Sequence, residues 1–206
     1  MGKYNKQTEI PKTKIVYKSI GTQLGKENKK FQYKNIKHGA RSKEYQEAIE
    51  WIKLSGIATQ LYRLDTVLLP LNAYQSLTDF KFYMNDVGLC TASQNIYMED
   101  ILSNNELLDI FKGGLTENYV YNQLISNHIK SYYWISAGLA EVDFIVRINN
   151  DIIPIEVKSS ERIRSKSLSV YKELYKPKYS IRISLRNFGY ENEIKSVPLY
   201  AVFCIK

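Results

Sequence analysis

Two carboxylates and a lysine stand on neighbouring strand-like runs in EVDFIVRINNDIIPIEVKSS, residues 141–160. If Asn149 and Asn150 form a two-residue turn, Asp143 lies directly opposite Glu156 on the paired strand. Glu156 and Lys158 then share one face, because strand side chains alternate. Opposed carboxylates repel each other. We therefore expect a bound divalent cation, a shared proton or a salt bridge to Lys158 to offset the repulsion.

A third carboxylate, Glu117, lies in the helical segment GGLTENYVYNQLISNHI, for which Thr116 is the expected N-cap. It falls on the apolar side of this helix. It is therefore either a partner of the helix dipole or a residue that points into a site. Together with Asp143, Glu156 and Lys158 it suits phosphodiester hydrolysis. Mg²⁺ or Mn²⁺ held by the carboxylates would activate water, and Lys158 would stabilise developing charge.

The elements that must position these residues indicate a mixed α/β fold from about residue 77 onward. Strand-like runs include FKFYMND, SYYWIS, EVDFIVRI, DIIPIEVKSS and KYSIRISL, with a helix in SKSLSVYKELYK and a last strand in PLYAVFCI. Arg182 lies between two isoleucines of a predicted strand. A charged side chain there needs an acidic partner.

The N-terminal part has a different pattern. Residues 1–13 form a polar lead that we expect to be flexible, and the helical pattern begins at Lys14. An amphipathic helix is predicted from about Ser42 to Leu54, ended by Gly56, and strands follow in ATQLYRLDTVLLPL. Helices followed by a β-ribbon over residues 14–76 predict a winged-helix-like domain. Such a domain either binds DNA or packs against a neighbouring domain.

Charge points to the same half of the chain. The net charge is +8; residues 1–95 hold 15 Lys and Arg against 8 Asp and Glu, whereas residues 96–206 hold 14 against 13. A basic half is a candidate for phosphate-backbone contact, although lysine-rich faces are often only solvated. The candidate nucleic-acid contacts are Lys26, Lys29, Lys30, Lys34, Lys37, Arg41, Arg162, Arg164 and Lys166.

Composition excludes several classes of protein. Hydrophobic residues make up 44% and charged residues 24%, which is typical of a globular chain. The apolar stretches are far shorter than the ~20 residues of a membrane span. The first residues, MGKYNKQTEIPKTK, lack the apolar core that a secretion signal would have. The two cysteines match no metal-ligand spacing, so we expect reduced thiols and a cytoplasmic location. From the short apolar stretches we expect no membrane partner.

Four segments resemble a known family. KFYMNDVGL (81–89), KGGLTENYVYNQL (112–124), YYWISAGLAEVDFIV (132–146) and IIPIEVKSS (152–160) are similar to a domain of unknown function. This domain follows the ATPase module of many bacterial and archaeal AAA-type ATPases, and a winged-helix segment precedes it. Glu117, Asp143 and Glu156-Val157-Lys158 also resemble the signature of PD-(D/E)XK nucleases. The resemblance extends over roughly residues 14–206 and lacks the ATPase module.

The resemblance implies a restriction-endonuclease-like α/β core at residues 77–206, after the winged-helix-like segment. It implies a nucleic-acid-binding or regulatory module of an AAA-type ATPase, with DNA and the ATPase module as partners. Two alternatives stay open. The first is a Mg²⁺-dependent DNA nuclease that uses Glu117, Asp143, Glu156 and Lys158. The second is a protein-interaction domain, because fold alone does not determine function.

Overall fold

The computed structural model describes residue 7 and residues 9–103, 105–137, 140–159 and 166–206. Helices and strands both occur throughout this part of the chain, mostly in runs of two or three, which confirms the expected mixed α/β class. The α-helices are α1 (Ile10–Leu24), α2 (Ser42–Leu54), α3 (Val87–Ser93), α4 (Met98–Leu102), α5 (Asp109–Ser126) and α6 (Lys166–Tyr175). Short 3-10 helices span Tyr33–Asn35, Leu71–Tyr74, Glu106–Leu108 and Leu199–Cys204.

The strands form a mixed eight-stranded sheet in the order β2-β1-β3-β4-β5-β6-β8-β7. Pairing is parallel for β1–β3, β5–β6 and β6–β8, and antiparallel for β3–β4, β4–β5 and β7–β8. The strands are β1 (Ala58–Leu64), β2 (Gln75–Met84), β3 (Ser131–Ile135), β4 (Glu141–Ile148), β5 (Asp151–Val157), β6 (Ser180–Ser184), β7 (Gly189–Glu191) and β8 (Ile194–Pro198).

The chain divides into two compact units, each built from two separate segments. Unit 1 comprises Met1–Gln60 and Lys81–Asn118, and unit 2 comprises Leu61–Phe80 and Tyr119–Lys206. The predicted domains, 14–76 and 77–206, stay a prediction from the sequence. Within the described part of the chain, no helix combines the length and apolar character that a membrane crossing requires.

In unit 1, helix α2 has the predicted limits. The Glu44 carboxylate accepts a hydrogen bond from the Arg41 backbone N–H at 3.1 Å, which caps the N-terminus. Gly56 ends the helix with φ of 69°, a conformation that costs glycine little. Helix α1 begins at Ile10 rather than at the predicted Lys14. Pro11 is compatible with this earlier start, because the first turn of a helix does not need its N–H.

The predicted N-cap of helix α5 at Thr116 is wrong. The helix begins at Asp109, and the Thr116 hydroxyl donates to the Lys112 carbonyl at 2.7 Å inside the helix. Gly114 allows close packing of α5 against α1. A Cβ built there would lie 2.2 Å from the Leu24 carbonyl oxygen of α1. Glu117 is thus mid-helix, where the dipole gives it little stabilisation.

In unit 2, the β4–β5 hairpin has the predicted register. Ile148 pairs with Asp151, and the ladder continues to Phe144 opposite Ile155. Asn149 takes φ of 55°, which asparagine tolerates better than most residues. Helix α6 packs on both strands of this hairpin. Its Tyr171 lies edge-on to Trp134 of β3, with ring centroids 5.3 Å apart, in the hydrophobic core.

The predicted last strand is wrong, because Leu199–Cys204 is a 3-10 helix. The burial of Ala201, Val202 and Ile205 follows a helical rather than an alternating period. The Asn127 amide donates to the carbonyls of Phe203 at 2.9 Å and Ile205 at 2.7 Å, and so satisfies backbone groups that a sheet would have paired. The β7–β8 hairpin precedes this segment and was not predicted.

Candidate functional site

Asp143 and Glu156 occupy the end of the β4–β5 ladder in unit 2. The β4–β5 ladder ends with Phe144 paired to Ile155, so Asp143 and Glu156 are the next positions along the same register. Both side chains are buried, with residue exposures of 9% and 3%. Asp143 Oδ2 accepts a hydrogen bond from the Val157 backbone N–H at 2.8 Å. This bond fixes the Asp143 carboxylate against the strand that carries Glu156.

The two oxygens of Glu156 have different surroundings. Oε1 lies 2.5 Å from Nζ of Lys158, whose side chain is 30% exposed. Oε2 is buried and has no hydrogen-bond partner among the described residues. A buried carboxylate oxygen without a partner is costly. The site therefore has a position where a cation would be stabilised, beside a lysine that reaches toward solvent.

Arg182 is the cross-strand neighbour of Glu156. The parallel β5–β6 register pairs the two residues, so their side chains lie on the same face of the sheet. The strand register therefore places Glu156 next to Arg182, where the sequence predicted an acidic partner. Even so, the Arg182 Nε is buried without a hydrogen-bond partner in the part of the chain that the structure describes.

Glu117 belongs to unit 1 and has partners for both of its oxygens. Oε1 accepts from Lys29 Nζ, and Oε2 accepts from Lys81 Nζ at 3.3 Å and from the Tyr83 hydroxyl at 3.0 Å. Burial by itself raises the pKa of Glu117. The positive charges of Lys81 and Lys29 and the hydrogen bonds from Lys29 and Tyr83 outweigh burial and lower the pKa to about 2.

The partners of Glu117 were not predicted from the sequence. Lys81 and Tyr83 are two residues apart on β2, so they share a face and both reach the Glu117 carboxylate. Lys81 is only 1% exposed. A signal existed, because a lysine inside the apolar strand run FKFYM needs an acidic partner for the same reason as Arg182.

The predicted basic contacts divide into three groups. Lys29 is half-buried and engaged by Glu117, and Lys30 is also half-buried. Arg162 and Arg164 lie outside the described residues. The exposed members are Lys26, Lys34, Lys37, Arg41 and Lys166.

A metal at this site would have few protein ligands. Among the described residues, no group of three or more His, Cys, Asp and Glu side chains is arranged to hold a metal ion. Asp143 and Glu156 supply two carboxylates, and the unpartnered Glu156 oxygen fits a cation. Mg²⁺ commonly takes one or two carboxylates and completes its shell with water and phosphate oxygens. The residues present are compatible with such a partial ligand set.

Comparisons with known proteins match two segments of the chain. Residues 112–202 match a domain of unknown function, DUF4143, and residues 1–100 match a second domain of unknown function, DUF8612. The first match contains Glu117, Asp143, Glu156 and Lys158. It agrees with the resemblance to a domain of unknown function, and the nuclease-like character of that domain stays a prediction.

No curated protein matches the chain. One solved structure, the crystal structure of protein VC1899 from Vibrio cholerae, is 14% identical with a TM-score of 0.28. The match covers 95% of this chain and 49% of the other, so the present chain spans about half the length of that protein.

Proposed function

We propose that the chain binds nucleic acid through a cation-dependent site at Asp143, Glu156 and Lys158, and that phosphodiester hydrolysis is the activity this site supports best. One observation carries the proposal. The Glu156 Oε2 is buried without a partner, next to a second buried carboxylate and a half-solvated lysine. This set combines a position for positive charge with a donor for a phosphate oxygen.

Each residue has a distinct role in this proposal. Asp143 and Glu156 would hold Mg²⁺ or Mn²⁺, which when bound polarises a phosphoryl oxygen and lowers the pKa of its water. The Val157 N–H keeps the Asp143 carboxylate in place. Lys158 donates to a non-bridging phosphate oxygen and stabilises its negative charge. The nucleic-acid backbone would be contacted by the exposed members of the predicted basic set, Lys26, Lys34, Lys37, Arg41 and Lys166, which add salt-dependent affinity.

The test is calorimetric titration of Mg²⁺ and Mn²⁺ into the wild-type protein and a Glu156→Gln variant, with a plasmid-nicking assay on both. We expect the wild type to bind a cation and nick DNA, and the variant to lose both. A matched control is Glu173→Gln, an exposed position on α6 of the same unit. Cation binding and nicking that persist in Glu156→Gln, or that are absent from the wild type, would contradict the proposal.

A non-catalytic role is the second candidate, and Glu117 favours it. Both of its oxygens already accept hydrogen bonds from protein donors. Glu117 therefore acts as a structural anion in unit 1. The chain would then be a DNA-binding or regulatory module of an AAA-type ATPase, as the sequence resemblance implies. This candidate predicts DNA binding that weakens steeply with salt, and no nicking with any divalent cation.

A further inference from the structure

One face of β6 is polar along its whole length. Ser180, Arg182 and Ser184 alternate with the buried Ile181 and Ile183, so they share one face. The Ser180 hydroxyl and the Arg182 Nε are both buried without hydrogen-bond partners among the described residues. A strand inside a sheet normally buries apolar side chains, and unpaired polar atoms there are costly. This face is therefore suited to hold a polar ligand.

A cavity of about 490 Å³ adjoins this face in unit 2. Glu156 of β5, Arg182 of β6 and Ser196 of β8 are neighbours in the strand register and form a row across the sheet. The Ser184 hydroxyl accepts the Arg186 backbone N–H at 3.2 Å, which holds the turn after β6 at the cavity. The lining includes Arg182, Arg186, Gly189, Tyr190, Glu191 and Ser196.

We propose that this cavity binds the phosphate group of a nucleotide, with Arg182 and Arg186 as the donors. Two guanidinium groups against the single carboxylate of Glu191 leave the lining positive. Arginine forks match phosphate oxygens in a bidentate geometry.

The phosphate subsite goes beyond the proposed function and does not depend on a cation. Its donors are arginines, and it lies in the row Glu156–Arg182–Ser196 that runs across β5, β6 and β8. The phosphate group can belong to a free nucleotide or to a nucleic-acid strand, because the same donors recognise both. Both sources can be tested without a divalent ion, so a failure here is distinguishable from a failure of the cation site.

The experiment measures binding of AMP and of a 5′-phosphorylated thymidine tetranucleotide to the full chain by calorimetry in buffer with EDTA. We expect at least one probe to bind. Arg182→Gln and Arg186→Gln should each weaken that binding about tenfold or more, because each removes charge-assisted hydrogen bonds. Binding of AMP would identify a free nucleotide as the source, and binding of the tetranucleotide alone would identify a strand.

The control is Arg147→Gln, which alters an exposed arginine at the β4 end of unit 2 away from the cavity lining. It should leave binding of both probes unchanged. Arg182→Lys keeps the charge but loses the fork, so it should weaken binding nearly as much as Arg182→Gln. If the Arg182 variants fail to fold, the exposed Arg186 provides the test. Failure of both probes to bind, or equal binding by Arg186→Gln and Arg147→Gln, overturns the proposal.

Discussion

Glu117 in unit 1 and Glu156 in unit 2 are buried glutamates with opposite hydrogen-bond status. The oxygens of Glu117 accept from Lys29, Lys81 and Tyr83. In Glu156, one oxygen meets Lys158 and the other has no partner in the described part of the chain. The two residues are about equally buried, with exposures of 5% and 3%. Their difference lies in the donors around them.

This difference separates a structural carboxylate from one that is available to a ligand. A buried charge that is fully paired contributes to the fold, and removal of its partner leaves an uncompensated charge. A buried charge that is half paired is costly to the fold and gains from any cation that reaches it. We therefore expect substitutions at Glu117 to affect stability, and substitutions at Glu156 to affect binding.

The largest expected effect is that of Glu117→Gln on stability. Lys81 is buried, and its ammonium group lies 3.3 Å from the Glu117 carboxylate whose charge this variant removes. We expect the free energy of unfolding to fall by about 3–5 kcal/mol, measured by chemical denaturation. The matched control is Glu50→Gln, which removes the half-exposed Glu50–Lys53 pair of α2 and should cost less than about 1 kcal/mol. Equal losses in both variants would remove the contrast between the two glutamates.

The pH dependence of stability follows from the lowered pKa of Glu117. Its pKa falls from 4.5 to about 2 on folding, so this stabilisation is fully present above about pH 4.5. It is lost as the pH falls through the interval from 4.5 to 2, by a total on the order of 3 kcal/mol. Denaturation of the wild type and Glu117→Gln across this interval measures the difference. Curves that stay parallel would show that Glu117 is not the group responsible.

Tyr83→Phe removes one neutral donor from Glu117 and leaves both lysines. A hydrogen bond to a charged group contributes about 1.5–3 kcal/mol, so the loss should be smaller than that of Glu117→Gln. Thermal and chemical denaturation both measure it. Tyr200→Phe, at an exposed position of the C-terminal 3-10 helix, makes the same chemical change and should have little effect. A loss as large as that of Glu117→Gln would place the main support of the carboxylate in Tyr83.

The smallest expected effect on stability is that of Glu156→Gln. Removal of the charge ends the interaction with Lys158 but also ends the cost of the unpartnered oxygen. The lost attraction to Lys158 and the removed burial cost have opposite effects on stability, so the free energy of unfolding should change by less than about 1 kcal/mol. Chemical denaturation in EDTA measures it without any bound cation. A loss comparable to that of Glu117→Gln would make Glu156 a structural residue as well.

Prediction from the sequence succeeded where the signal was local. The Asn149-Asn150 turn and strict strand alternation gave the β4–β5 register, and hence the neighbouring positions of Asp143 and Glu156. The amphipathic pattern and Gly56 gave the limits of α2. Prediction failed at the start of α5, where Thr116 was the expected N-cap but the helix begins at Asp109. The close approach of α1, which the sequence does not express, makes glycine suitable inside that helix.

The sequence by itself determined the mixed α/β class, the hairpin that carries Asp143, Glu156 and Lys158, and the expectation that Arg182 needs a counter-charge. These follow from side-chain period, turn chemistry and the cost of burying charge, all of which act over a few residues. Only the tertiary structure decided which of the buried carboxylates has hydrogen-bond donors for both of its oxygens. Lys29, Lys81 and Glu117 are far apart in the chain, and the Glu156–Arg182–Ser196 row depends on parallel pairing of β5, β6 and β8. Such long-range pairings are set by packing of the whole chain, because no local preference of any one residue specifies them.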